Sequence, residues 1–192
     1  MIIPKILIYL LVVSYLLTNC SDKSCSSTYD SSKTAIGVAV KDNELIVALT
    51  VPEMAWSSSY TDTSLTNYTS STDAKTDFNG KSNTAVIVAA YPSETASNSA
   101  AIYCNEYSTA GTNAGDWYLP AAGELHSYIY NNYNIIKTAW NNAGTTLSNG
   151  YFWSSSEFSL SDAFSVNFDY GLVGVDYTKD INISVSCFLS IN

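Results

Sequence analysis

The chain has 192 residues, of which 46% are apolar, 13% aromatic and 13% charged. That is too apolar for general disorder, too interrupted for a multispan membrane protein, and long enough for one domain behind a leader. All eight basic residues are Lys, against 17 carboxylates, giving a formal net charge of −9; this balance argues against nucleic acid as a partner, because phosphate binding needs clustered cations and Arg is the preferred bidentate reader of bases.

Met1 to Lys5 forms a short region with one cation, and Ile6 to Leu17 is a twelve-residue apolar run. This is the length of a signal sequence's apolar core rather than of a membrane span. Leu17-Thr18-Asn19-Cys20 resembles a bacterial lipobox, so residues 1–19 are expected to be a lipoprotein signal peptide, with Cys20 lipidated as the mature N-terminus. An ordinary secretory signal cut near Asn19 and an uncleaved anchor helix are the alternatives. Acyl chains on Cys20 would hold the protein on a membrane surface, each buried methylene contributing about 0.8 kcal/mol. Residues 20–34 are Ser-rich and read as a flexible tether; Cys25 within them has no partner at a metal-binding spacing.

Residues 35–192 are expected to form a single domain. Ala35 to Val40 and Leu45 to Val51 are two β-rich runs separated by a polar turn cluster, which predicts an opening hairpin ended by Pro52. From Trp56 to Asn83 the chain is dominated by Ser, Thr, Asp and Asn, the chemistry of a long loop. After an apolar Thr84 to Ala90, helical spacing predicts a helix over 94–107. Gly111 and Gly115 bracket a turn, and Pro120 introduces a second helix over Ala121 to Tyr130, with Ile135, Ile136 and Trp140 on a short helical extension. From Tyr151 onward the period becomes two. Ala163, Ser165, Asn167 and Asp169 alternate with Phe164, Val166, Phe168 and Tyr170, which predicts a half-buried strand. Val173 to Tyr177 and Ile183 to Leu189 supply two further strands, with Lys179-Asp180 as the turn between them. Strands, two helices and then an antiparallel β-region make an α+β domain.

Gly115-Asp116-Trp117-Tyr118-Leu119-Pro120-Ala121-Ala122-Gly123-Glu124-Leu125, followed by Tyr151-Phe152-Trp153-Ser154-Ser155-Ser156-Glu157, resembles the Lcl C-terminal-like family, a domain of unknown function in bacterial surface proteins. The spacing Ala163-x-x-Val166-x-Phe168-x-x-Gly171 and the closing Val185-Ser186-Cys187-Phe188 extend the resemblance over residues 115–190. The opening hairpin and Gly80-Lys81-Ser82-Asn83-Thr84 are similar to the lipoprotein branch of that family found in anaerobes. The resemblance implies a C-type-lectin-like fold, related to that of formylglycine-generating enzymes and used as a scaffold for a variable binding face. Some relatives look like retroelement-diversified targets. The family's closing motif carries Arg beside the final Cys, where this chain has Ser186.

Read from their chemistry, the motif residues are mostly structural. Trp117, Leu119 and Trp153 are expected in the core. Glu124, in the first turn of a helix, is favoured by unpaired N–H groups, and Ser154 to Glu157 can satisfy backbone groups at a turn. Cys104 and Cys187 form either a disulfide, as an exported protein allows, or two buried free thiols. No catalytic residue is expected. His126 is the only histidine and lies in no nucleophile-elbow or metalloprotease pattern. Glu124 with Glu157 is the only carboxylate pair set in notable motifs, and no second thiol lies at short spacing from Cys104 or Cys187 for oxidase chemistry. No metal or cofactor is expected either. The Glu-Pro-Asn and Trp-Asn-Asp motifs of calcium-dependent lectins are absent, and the oxygen-rich stretch Asp73 to Asn79 matches no known calcium loop.

Fifteen Tyr among abundant Ser, Asn and Gly match the composition of antibody paratopes, although a base-composition bias, consistent with the lack of Arg, produces the same mixture. The expectation is a non-catalytic, lipid-anchored module of the bacterial envelope, at the outer membrane or cell surface. Phe158, Asn167, Tyr170, Asp176 and Tyr177 would present a C-terminal face to a protein or glycan ligand. The alternative is a structural or adhesive component of a pilus- or matrix-type surface assembly.

Overall fold

The computed structural model describes residues 35–41 and 44–191. The expected signal peptide, the lipidation residue Cys20, and the tether with Cys25 lie outside the described residues. In chain order the elements are β1 (Gly37–Val40), β2 (Leu45–Ala48), β3 (Glu53–Met54), α1 (Ser71–Ala74), α2 (Gly80–Ala90), α3 (Ala100–Glu106) and β4 (Trp117–Tyr118). A helical stretch follows, made of α4 (Ala122–Glu124), a π-helical turn (Leu125–Ile129), a 3-10 turn (Tyr130–Asn132) and α5 (Tyr133–Asn142). The chain closes with β5 (Tyr151–Glu157), β6 (Ala163–Asn167), β7 (Leu172–Gly174), β8 (Ile183–Ser184) and β9 (Phe188–Ser190).

The strands form a four-stranded sheet of order β1-β2-β9-β4 and a five-stranded sheet of order β3-β8-β5-β6-β7. The opening hairpin has Gly37 opposite Ala48 and Val40 opposite Leu45. The β-region is not wholly antiparallel, because β8 runs parallel to β5 where Phe152 meets Ser184. Nor does the domain stop at two helices. The predicted helix over 94–107 is confined to Ala100–Glu106, and the apolar run Thr84 to Ala90 belongs to a separate helix, α2. Ala85, Val86, Ile87 and Val88 are consecutive, so no stripe at helical spacing marks its buried face.

Alternate residues of the strands enter two different apolar clusters. Ile46, Ala48, Trp117, Trp153 and Leu189 join Ile87 of α2 and residues 100–104 under α3. Leu45, Val47, Tyr118, Phe152 and Phe188 join Leu125, Ile129, Ile136 and Trp140 on the other side. Helices therefore cover both faces, and Trp117, Leu119 and Trp153 lie in the core. The predicted half-buried strand becomes, in β6, a strand buried at every position from Ala163 to Asn167. Its Ser/Asn face meets protein rather than water.

The predicted single strand Ile183 to Leu189 is also divided. All seven residues are buried, and the chain passes from one sheet to the other through Val185, Ser186 and Cys187. Val185 N–H donates to Pro52 O at 2.8 Å, and Ala48 N–H donates to Cys187 O at 2.9 Å. A disulfide joins Cys187 to Cys104 of α3, with a Cα–Cα distance of 5.3 Å and a sequence separation of 83. Closing a loop of that length stabilises the fold by about 4 kcal/mol in the chain-entropy model.

Candidate functional site

The five residues expected to form a display face do not converge. Phe158 follows β5 at the end where Glu157 pairs with Ala163, and its ring packs edge-on to Phe164. Asn167 and Tyr170 lie at the opposite end of β6, opposite Tyr151, roughly 13 Å away along the strand. Asp176 is exposed beyond β7, and Tyr177 is half-buried, edge-on to Tyr151 at 5.1 Å. Asn167 is only 3% exposed. Its Oδ1 accepts from the backbone N–H groups of Asp169 (2.8 Å) and Tyr170 (3.1 Å), so the side chain builds the turn that carries Tyr170. Tyr170 itself is 73% exposed.

Beside that turn the long helical stretch loses its regularity. A widened turn over Leu125–Ile129 and a tightened one over Tyr130–Asn132 replace α-helical geometry, and Asn132 Nδ2 donates to the carbonyls of Ser127 and Tyr128. Such bulges leave carbonyls short of partners, and they occur frequently at functional sites. The irregular segment faces the β6–β7 turn across an open groove of about 540 Å3, walled by residues 130–135 on one side and by Phe168 and Asp169 on the other. Gly171, at φ +67°, closes the turn directly against the Tyr130 ring, where a Cβ would collide with ring carbons. Tyr133 is held too, packing on Phe168 at 6.0 Å and donating its hydroxyl to Asn149 Oδ1. Burial, with the nearby Asp169 carboxylate second, raises the pKa of the Tyr133 phenol.

In the groove, Asn131, Asn134 and Asp169 are exposed, and their side chains have no hydrogen-bond partner among the described residues. The carboxylates and serine hydroxyls of the paired motifs, and the carboxylate of Asp77, are consumed internally. Asp77, which is buried, accepts from Asn79 N–H, Asn79 Nδ2, Asn83 Nδ2 and Ser156 Oγ at 2.7 to 3.2 Å. Ser154 Oγ donates to Phe164 O, and Ser156 Oγ accepts from Ala122 N–H. Glu124 accepts from Ala121 N–H at 2.8 Å and from the Tyr118 hydroxyl at 3.2 Å. Burial pushes the Glu124 carboxyl up to about 7 and raises Tyr118 as well.

Glu157 is paired with Lys179, which the sequence places in a polar turn but which is fully buried. Lys179 Nζ also donates to Leu160 O at 3.0 Å and stands 4.4 Å from the centre of the Trp56 ring. Glu157 accepts a further hydrogen bond from Thr63 Oγ1. Lys179 thereby ties the 57–66 loop to the hairpin between β5 and β6. A smaller cleft of about 230 Å3 has Asp77 and Glu157 in its wall, below Ser64 to Tyr68 and the first turn of α2. His126 is half-buried on the π-helical turn with its ring 5.5 Å from that of Tyr130, and burial lowers its pKa. No cluster of three or more metal-ligating side chains occurs among the described residues.

No family model matches the chain, and no curated protein matches it. Among solved structures, the fold is similar to that of a fimbrial protein from Bacteroides ovatus, with a TM-score of 0.56 and 19% identity, covering 76% of this chain. The matched region spans 35% of that protein, so the likeness is one of fold over about a third of the neighbour's length.

Proposed function

We propose that this protein is a non-catalytic component of the bacterial cell surface, held to the membrane by lipid on Cys20, that serves as an adhesive or structural element of a surface assembly. The fold likeness to a fimbrial protein carries the proposal. No described helix is long and apolar enough to cross a membrane; the proposed attachment rests on the lipobox-like Leu17 to Cys20. We assign the domain to the Lcl C-terminal-like family with a C-type-lectin-like fold, on the paired motifs at 115–125 and 151–157. Ser154, Ser156, Glu124 and Glu157, the motif residues with chemistry to offer, are all spent on internal hydrogen bonds or an ion pair, in keeping with a scaffold.

The test is localisation of the full chain with and without Cys20→Ala, followed by cross-linking on intact cells. Surface exposure lost in the variant, together with higher-order cross-linked species, is the expected result. A protein that stays internal, or that remains monomeric at the surface with no effect on adhesion, would overturn the assembly role. A second role, as a binding module for a protein or glycan ligand, is favoured by the groove with its unspent amide and carboxylate groups.

A further inference from the structure

We infer that the groove between the irregular helical turn and the β6–β7 turn binds a neutral carbohydrate. The inference deepens the binding-module role and depends on it. About 540 Å3 falls within the range of roughly 300–1,000 Å3 typical of small-ligand sites. The two walls supply the mixed chemistry that a sugar ring requires. A pyranose has an apolar C–H face and a rim of hydroxyls that both donate and accept. Tyr130 and Tyr133 supply apolar ring surface, and Ile135, 54% exposed, extends it. Asn131 and Asn134 each offer a donor and an acceptor, and Asp169 offers two acceptor oxygens.

The site is set before any ligand arrives. Tyr130 is seated against Gly171, Tyr133 against Phe168 and Asn149, and the Asp169 backbone N–H is tied to Asn167. The rings and the turn backbone are thus fixed, and only the Asn131, Asn134 and Asp169 side chains remain to be ordered on binding. Charge selects among sugars. Asp169 is in the wall, and Lys137, further along α5, contacts the Tyr133 ring at 5.4 Å and Asn149 Oδ1 at 3.2 Å. A carboxylated or sulfated sugar would meet the Asp169 carboxylate in a lining that contains no lysine. A polypeptide partner fits less well, because the core of a protein interface is depleted of charge, whereas this concavity interleaves its rings with three amides and a carboxylate.

The test uses the full chain purified in detergent, on an array of immobilised neutral oligosaccharides of glucose, galactose, mannose and N-acetylglucosamine beside sialylated and uronate-bearing ones. Wild type is run with Asn131→Ala/Asn134→Ala and with Asp169→Asn, all exposed positions, and thermal melts verify that each variant folds. The expected result is binding to one or more neutral sugars that falls at least tenfold in the double Asn variant at unchanged melting temperature. Asp169→Asn is expected to admit acidic sugars that wild type rejects. Wild-type binding to no neutral sugar, or neutral-sugar binding that the Asn substitutions leave intact, would overturn the inference. Capture of a surface polypeptide that the Asn variant loses, without sugar binding, would overturn the carbohydrate assignment while sparing the binding role. The Cys20→Ala experiment is read independently of either outcome.

Discussion

Replacing Lys179 with Met tests whether its ammonium is an integral part of the core. Lys179 is fully buried and Glu157 is 2% exposed, so the substitution strands a carboxylate away from water with Thr63 Oγ1 as its remaining side-chain partner. Breaking a buried pair from one side costs about 3–5 kcal/mol. Losing the Leu160 carbonyl's donor and the contact with the Trp56 ring acts in the same direction. For a domain of this size each kcal/mol moves Tm by about 2–4 °C, so a fall of about 10 °C is expected. The double variant Lys179→Met/Glu157→Leu removes both charges and should recover most of the loss, ending within about 2 kcal/mol of wild type. Urea unfolding followed by tryptophan fluorescence reads both, since Trp56 lies beside the ammonium. A single-variant loss under 1 kcal/mol, or a double variant as unstable as the sum of the singles, would refute the reasoning.

Glu124 sets a pH dependence. Its carboxyl is raised from 4.5 to about 7 in the fold, so the protonated form is favoured; that contribution is fully present below pH 4.5 and is lost as pH rises through 7. The total is on the order of 3 kcal/mol, and the difference in urea unfolding free energy between wild type and Glu124→Gln should change by that amount between pH 4.5 and 8, whereas a constant difference would contradict it. Cys104→Ser/Cys187→Ser should cost about 4 kcal/mol by the same unfolding assay, and a change under 1 kcal/mol would show that the closed loop contributes little. Gly171→Ala should cost at least about 1–2 kcal/mol, from positive φ and the collision with Tyr130; a neutral result would mean that the turn moves freely relative to the groove wall.

The opening hairpin was legible because apolar β-rich runs on either side of a polar turn leave few other solutions. The core positions of Trp117, Leu119 and Trp153 followed from size and polarity. Lys179 was not legible. A lysine beside Asp180 and Thr178 has the local composition of a turn, and only the long-range approach of Glu157 and Trp56 makes its burial tolerable. Asn167 failed in a similar way, since an alternating pattern cannot say whether the polar face of a strand meets water or a second layer of protein. Division of Ile183 to Leu189 between two sheets was hidden because continuous burial erases the period-two signal. Of the groove's lining, the expected display face included no residue, since Tyr170 lies next to Asp169 but outside the walls. The paired Asn131-Asn132 interrupting a helical pattern is the available sign of the irregular turn.

The disulfide gives the domain a mechanical property. Both groove walls, residues 130–135 and 168–169, fall inside the loop that Cys104 and Cys187 close. A pull between residues 35 and 191 can peel away β1 and β2 but passes from Cys104 directly to Cys187, so the enclosed segment, which would otherwise yield roughly 280 Å of extended chain, is not drawn out. Stretched from its two ends, the domain would give up slack from its N-terminal portion while the enclosed part, both groove walls included, keeps its contour length fixed.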